Sequence, residues 1–244
     1  MKSHRLILFI SPPGSRILSS HMKTILLFGL YSISGFLQSV CGQGDVTRPT
    51  DPVIGGQLIG GVFTPATQGT PVGNANMFPA SGKPSFAIDD ALQLSYRNFG
   101  ELNTGLVISP AVNRPNGGTI LIKLILTTAF DSPERDPLTF TLEGTNGDPL
   151  LGSYTLIASG STGLDVDPGR GVSVLSQTFA PVGAATSYRL IFPTIRDSAT
   201  ADSMQIGEVQ LIGTAAPEPS ATALLVLSAI SAGAFWRRRP KKAT

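Results

Sequence analysis

The chain has 244 residues, a formal net charge of +2 and 41 % hydrophobic residues, with 27 glycines and 19 prolines. The positive sign belongs to the ends: between residues 43 and 213 nine basic residues face fifteen acidic ones, a balance of −6, which leaves no basic footprint for nucleic-acid phosphates. Both histidines (His4, His21), the single cysteine (Cys41) and the single tryptophan (Trp236) also lie outside that stretch, so it can build no Ser-His-Asp triad, thiol nucleophile, histidine-bearing zinc site or disulfide.

Residues 1–42 read as a targeting segment. Met22, Lys23 and Thr24 give a short positive start, 25–37 an apolar stretch and 39–42 mostly small residues, which is the build of a secretory signal peptide removed by signal peptidase. Cleavage after Gly42 places Val40 and Gly42 at the two positions that should be small, and a cut after Cys41 is the alternative. A lipoprotein reading of Cys41 is disfavoured by Val40 and Gln38, which stand where small and aliphatic residues are usual. An earlier apolar run at 6–10 is broken by Pro12, Pro13 and Gly14. Translation is therefore expected to start at Met22, with an unusually long signal peptide as the alternative. With no disulfide to be formed, the compartment has to be read from these targeting signals.

Residues 43–85, rich in Gly, Pro, Thr, Gln and Asn, read as a loop-rich lead-in to the domain. The pattern changes further on. Short runs of aliphatic, threonine and aromatic residues recur at 104–109, 119–130, 138–143, 154–159, 172–179, 187–192 and 204–212, separated by turns such as Asn146-Gly147-Asp148-Pro149 and Asp167-Pro168-Gly169. Their period is two: Leu138, Phe140 and Leu142 alternate with Thr139, Thr141 and Glu143, and Tyr188, Leu190 and Phe192 with Arg189 and Ile191. No stretch keeps a helical period for an ordinary helix length. The expected fold is all-β, an antiparallel β-sandwich over residues 86–213. In the last run Met204 and Ile206 differ in parity from Val209 and Leu211, which predicts a bulge near Gly207 and Glu208. Such a bulge re-aims the Glu208 side chain and gives it a role other than packing.

The C-terminal end carries three features in order. Residues 214–220 form a linker containing Pro217-Glu218-Pro219, residues 221–236 are sixteen uncharged and mostly apolar residues, and 237–244 hold a cluster of arginines and lysines. As a helix at 1.5 Å per residue, the apolar stretch spans about 24 Å, slightly less than a hydrocarbon layer of about 30 Å. The positive-inside rule places the basic tail in the cytoplasm and the β domain outside, in agreement with the N-terminal signal. This order resembles the PEP-CTERM sorting signal of Gram-negative bacteria. The resemblance implies processing by an exosortase near Pro217, Glu218 and Pro219, a transient stay in the inner membrane with the domain in the periplasm, and delivery to the cell surface or extracellular matrix. An ordinary C-terminal anchor is the alternative.

The central segment resembles the discoidin-like, or galactose-binding-like, jelly-roll domains. The matching stretches are Ala87-Ile88-Asp89-Asp90, Tyr96-Arg97-Asn98-Phe99, Asn103-Thr104-Gly105, 127–137 with its charged loop, and 203–213. Asp89-Asp90 stands where the family usually has Asp-Gly. The resemblance implies a structural calcium ion held by Asp89 and Glu208, with main-chain carbonyls of 92–95 and the side chain of Asp90 available to it; the oxygen-rich set suits that ion. Asp89 capping a short helix and Glu208 pairing with an arginine are the alternatives. Asp131, Glu134, Arg135 and Asp136 form the densest charged cluster, and Asp165 and Asp167 a second. Such charges are most often solvated turns. The sharper reading makes Tyr96 and the 131–136 loop a ligand rim, since loops at one end of a sandwich are where binding groups collect. Sugar recognition also calls for an exposed aromatic surface, for which Tyr96, Phe99 and Phe78 are the candidates.

Three functional expectations follow. The first is a non-enzymatic surface or matrix protein whose sandwich binds extracellular polysaccharide or another surface component. A spacer module without a ligand is the second, and a glycoside hydrolase using two carboxylates is the third and the least favoured.

Overall fold

The computed structural model describes residues 43–70, 73–111 and 118–216. The expected signal peptide, the Pro217-Glu218-Pro219 motif, the apolar segment 221–236 and the basic tail lie outside the described residues. Among the described residues no helix is long and apolar enough to cross a membrane.

Period-two patterning becomes strand throughout the second half of the chain. The strands are β1 (Gly44–Asp45), β2 (Val53–Ile59), β3 (Val62–Pro65), β4 (Thr67–Gln68), β5 (Met77–Phe78), β6 (Tyr96–Asn98), β7 (Thr104–Ile108), β8 (Thr119–Thr127), β9 (Thr139–Thr145), β10 (Thr155–Ser161), β11 (Ser173–Thr178), β12 (Ser187–Phe192), β13 (Met204–Ile206) and β14 (Glu208–Ala215). Among the described residues there is no α-helix. The 3-10 turns Pro84–Ala87 and Pro133–Arg135 each begin on the proline that presets their φ.

Two antiparallel sheets carry the fold, one ordered β10-β9-β12-β7-β2-β3 and the other β1-β14-β8-β11. In the first, Leu142, Leu190 and Leu106 stand side by side across β9, β12 and β7. In the second, Leu126 faces Val209 and Leu124 faces Leu211. All seven side chains are fully buried in one shared core, with Phe140, Tyr188 and Phe192 among their neighbours. Burial on this scale contributes about 2 kcal/mol per side chain. The intervening Val107 and Ile191 point to the other face of the larger sheet, where they form a small second cluster with Phe63.

The lead-in reading of 43–85 requires correction. That segment contributes five strands: β1 joins the edge of the smaller sheet beside β14, β2 and β3 complete the larger one, and β4 and β5 form a parallel pair. Its apolar residues are interrupted by glycines and prolines, so the alternation that marks a strand is faint there. Gly55 and Gly56 lie within β2 with no side chain to show a parity.

The parity change in the last strand is a change of partner. β13 pairs with β6, whereas β14 pairs with β8, and Gly207 sits between them. A Cβ at Gly207 would stand 2.6 Å from the Thr128 carbonyl oxygen. The missing side chain lets the chain cross at that point. Met204, Ile206, Val209 and Leu211 are all fully buried, and Glu208, the first residue after the crossing, faces Thr127 at the end of β8.

Candidate functional site

One end of the sandwich gathers the loops 88–95, 128–137, 163–172 and 193–203. Gln205 ties two of them together, its amide nitrogen donating to Ser95 Oγ at 2.8 Å and to Asp131 Oδ1 at 2.9 Å. The Asp197 amide donates to the Glu134 carbonyl at 3.0 Å, bringing the last loop alongside.

At the base of this end Glu208 is 4 % exposed, and its Oε2 has no hydrogen-bond partner. Burial pushes its carboxyl up to about 8, and the charges of Asp89, Asp90 and Asp45 push the same way. Burial also raises Asp89 and Asp45. Asp89 Oδ1 accepts the Ala91 amide at 2.9 Å, closing a turn rather than capping a helix. Asp90 follows at φ 59°, the left-handed conformation that explains why glycine suits this position and which aspartate tolerates better than most residues. No arginine or lysine among the described residues pairs with Glu208. Asp45 thus adds a fourth acidic charge to the three that sequence reasoning expected here. Asp45 was missed because it lies on a two-residue strand far from the others in the chain.

Among the described residues, no three His, Cys, Asp or Glu side chains are arranged to hold a metal ion by themselves. An ion here would need main-chain oxygens beside the carboxylates. An orphaned buried carboxylate oxygen with acidic neighbours and no nitrogen or sulfur donor fits a hard, oxygen-liganded cation such as calcium.

The charged loop divides into parts with different work. Asp136 is fully buried, and its two oxygens accept from Arg170 at 2.9 and 2.6 Å, with Arg196 at 3.2 Å. Arg170 also reaches Asp167, and both acids hold its guanidinium protonated. Asp136 is thus a clamp between loops and leaves the expected rim. Arg135 is mostly covered and pairs with Asp202 at 2.8 Å, while Asp131 keeps its carboxylate largely in solvent and Glu134 is half-buried. Tyr96 also leaves the rim: it is fully buried, its hydroxyl accepting from Asn98 Nδ2 at 2.8 Å. Phe99 is buried under Arg97, whose guanidinium lies 4.8 Å from its ring centre.

The aromatic ring that the loop end does present is Phe130, 56 % exposed. β8 ends at Thr127 and the chain turns away, carrying Phe130 out of the sheet. The ring lies beside Gly171, where φ is 66° and a Cβ would stand 3.5 Å from Phe130 Cε2. Asp131 follows it in sequence, and Arg170 Nη1 lies 3.4 Å from the Asp131 carbonyl. Sequence reasoning placed Phe130 at the end of a strand, and nothing in the local pattern marks where that strand stops.

No protein-family model matches the chain, and no curated protein sequence matches it. Among solved structures the chain is similar to the module CpGH89CBM32-5 from Clostridium perfringens in complex with GalNAc-β-1,3-galactose, at 13 % identity and TM-score 0.45, covering 69 % of this chain and 99 % of that one. It is similar also to the family 32 CBM from C. perfringens NanJ in complex with galactose, at 10 % identity and TM-score 0.43, covering 70 % and 99 %. A third is chitosan-binding module 1 from the chitosanase/glucanase of Paenibacillus sp. IK-5, at 10 % identity and TM-score 0.44, covering 69 % and 98 %. At these identities and TM-scores the likeness decides nothing about what this chain binds.

Proposed function

We propose that the sandwich is a non-enzymatic binding module of an exported cell-surface or matrix protein, and that it holds polysaccharide at the loop end carrying Phe130. The observation that carries this reading is the exposed Phe130 ring, which lies against Gly171 and is followed in the chain by Asp131, whose carboxylate is largely in solvent. An apolar ring beside hydrogen-bonding groups matches the two faces of a sugar, one lined by C–H and the other by hydroxyls. Loops 128–137 and 163–172 are held by the buried Asp136 pairing, so the ring is presented on a fixed surface. Calcium held by Glu208 and Asp89, with Asp90 and main-chain oxygens completing the set, stabilises the same end. The signal segment and the PEP-CTERM-like tail support export with exosortase processing, and the lack of histidine and cysteine in residues 43–213 supports a binding role over triad or thiol catalysis.

Glycan-array screening of the full-length protein, followed by calorimetry on the best polysaccharide, tests the reading. Phe130→Ala is expected to weaken binding about tenfold, as loss of about 1.4 kcal/mol of stacking would. A flat array, or equal affinity in the variant, would leave the spacer module as the better account.

A further inference from the structure

A second concave surface lies in the part of the chain expected to be loop. β2, β4, β5 and the Pro84–Ala87 turn line a shallow, open cleft of about 400 Å3, within the range of small-ligand sites. Its apolar wall includes Val53, Phe78 and Pro84, and its polar groups are Gln68, Lys83 and Ser85.

The cations of this domain are mostly committed. Arg97, Arg135, Arg170, Arg189 and Arg196 each pair with a carboxylate, and Arg48 donates to the Asp45 and Thr47 carbonyls. Lys83 has no carboxylate partner among the described residues, although the domain carries more acids than bases. Its main chain is pinned on both sides: the Arg97 amide donates to the Gly82 carbonyl at 3.2 Å, and the Phe86 amide to the Lys83 carbonyl at 3.0 Å. The base of the side chain is thus fixed while the ammonium of this exposed residue is left to solvent and free to take an anion. The side chains of Gln68 and Ser85 likewise make no hydrogen bond among the described residues. Gln68 is held at its backbone by pairing with Phe78.

We propose that this cleft binds a carboxylate-bearing sugar, a single uronic acid unit. The carboxylate sits on Lys83 as a charge-assisted pair, the ring hydroxyls on Gln68 and Ser85, and the apolar ring face against Phe78 and Val53. One cation with two neutral polar groups and one aromatic wall suits an anionic sugar better than a phosphate, which would draw several donors. The cleft is separate from the Phe130 surface in sequence and in the elements that build it, and it stands without that reading.

The test titrates galacturonate, galactose and acetate separately into the full-length protein by calorimetry. Galacturonate is expected to bind at least about tenfold more tightly than either of the other two, since galactose lacks the charge and acetate lacks the ring. Lys83→Gln is expected to erase the preference over galactose while leaving the thermal melt unchanged. Lys123→Gln, which removes an equally unpaired lysine outside the cleft, is expected to keep it. No binding of galacturonate, equal affinity for galacturonate and galactose, or a preference that survives Lys83→Gln would each overturn the proposal. Loss of the preference in Lys123→Gln to the same degree would overturn it too, by showing a general charge effect in place of a site.

Discussion

Replacing Glu208 by glutamine keeps the shape of the side chain and removes the one ionisable group at the centre of the carboxylate cluster. In the folded chain the Glu208 carboxyl keeps its proton up to about 8, because burial and then Asp89, Asp90 and Asp45 oppose its charge. In the unfolded chain it ionises near the ordinary value of 4.5. The folded state therefore binds the proton more tightly, so the stability from this group is full below 4.5 and is lost as pH rises toward 8. At about 1.4 kcal/mol per pKa unit the ceiling is about 5 kcal/mol. Asp90 is exposed and Asp89 half-buried, so water screens part of the repulsion, and about 2 kcal/mol is the expected loss. For a domain of this size that is about 4–8 °C in Tm. The assay is thermal melting of the full-length protein in chelator, from pH 5 to pH 9. The wild type is expected to lose this increment relative to Glu208→Gln, whose remaining acids supply the common background. Calcium at about a hundred times its Kd is expected to return roughly 2.7 kcal/mol to the wild type at pH 8 and little to the variant. Parallel pH profiles for the two proteins, or the same calcium shift in both, would refute the reasoning.

Asp136→Asn leaves the guanidinium groups of Arg170 and Arg196 facing a buried neutral amide, and urea unfolding is expected to show a loss of about 3 kcal/mol; a loss under about 0.5 kcal/mol would mean that the pairing adds nothing to stability. Gly207→Ala forces a methyl against the Thr128 carbonyl at the crossing between β13 and β14, and a loss of about 2–3 kcal/mol by the same measurement is expected, with an unchanged midpoint counting against the close approach. For the tail, Pro217, Glu218 and Pro219 replaced together by alanine are expected to leave an unprocessed precursor in a host that has an exosortase. Identical processed masses for variant and wild type would favour a plain anchor, which needs only apolar length and the basic stop.

Strand alternation made most of the sandwich legible without coordinates. Leu138, Phe140 and Leu142 or Tyr188, Leu190 and Phe192 announce a buried face because side chains on a strand alternate, and that rule is local. The same rule marked Glu208, since the parity on its two sides cannot be kept in one uninterrupted strand. The exclusion of a histidine-based triad and of thiol chemistry was equally a matter of composition, because histidine and cysteine are missing from residues 43–213. Where local pattern is weak, the reading failed: Gly55 and Gly56 conceal β2, and β1 and β2 are strands because β14 and β7 offer them partners. The site depended still more on tertiary structure. Asp45 comes within range of the Glu208 charge only when β1 joins β14. Asp136 and Tyr96 look like rim residues until the fold buries them, and Phe130 looks like a strand residue until β8 stops at Thr127. Each of these outcomes is set by which segments pack together across long stretches of chain, and burial, charge proximity and exposure arise from that packing rather than from any neighbour in sequence.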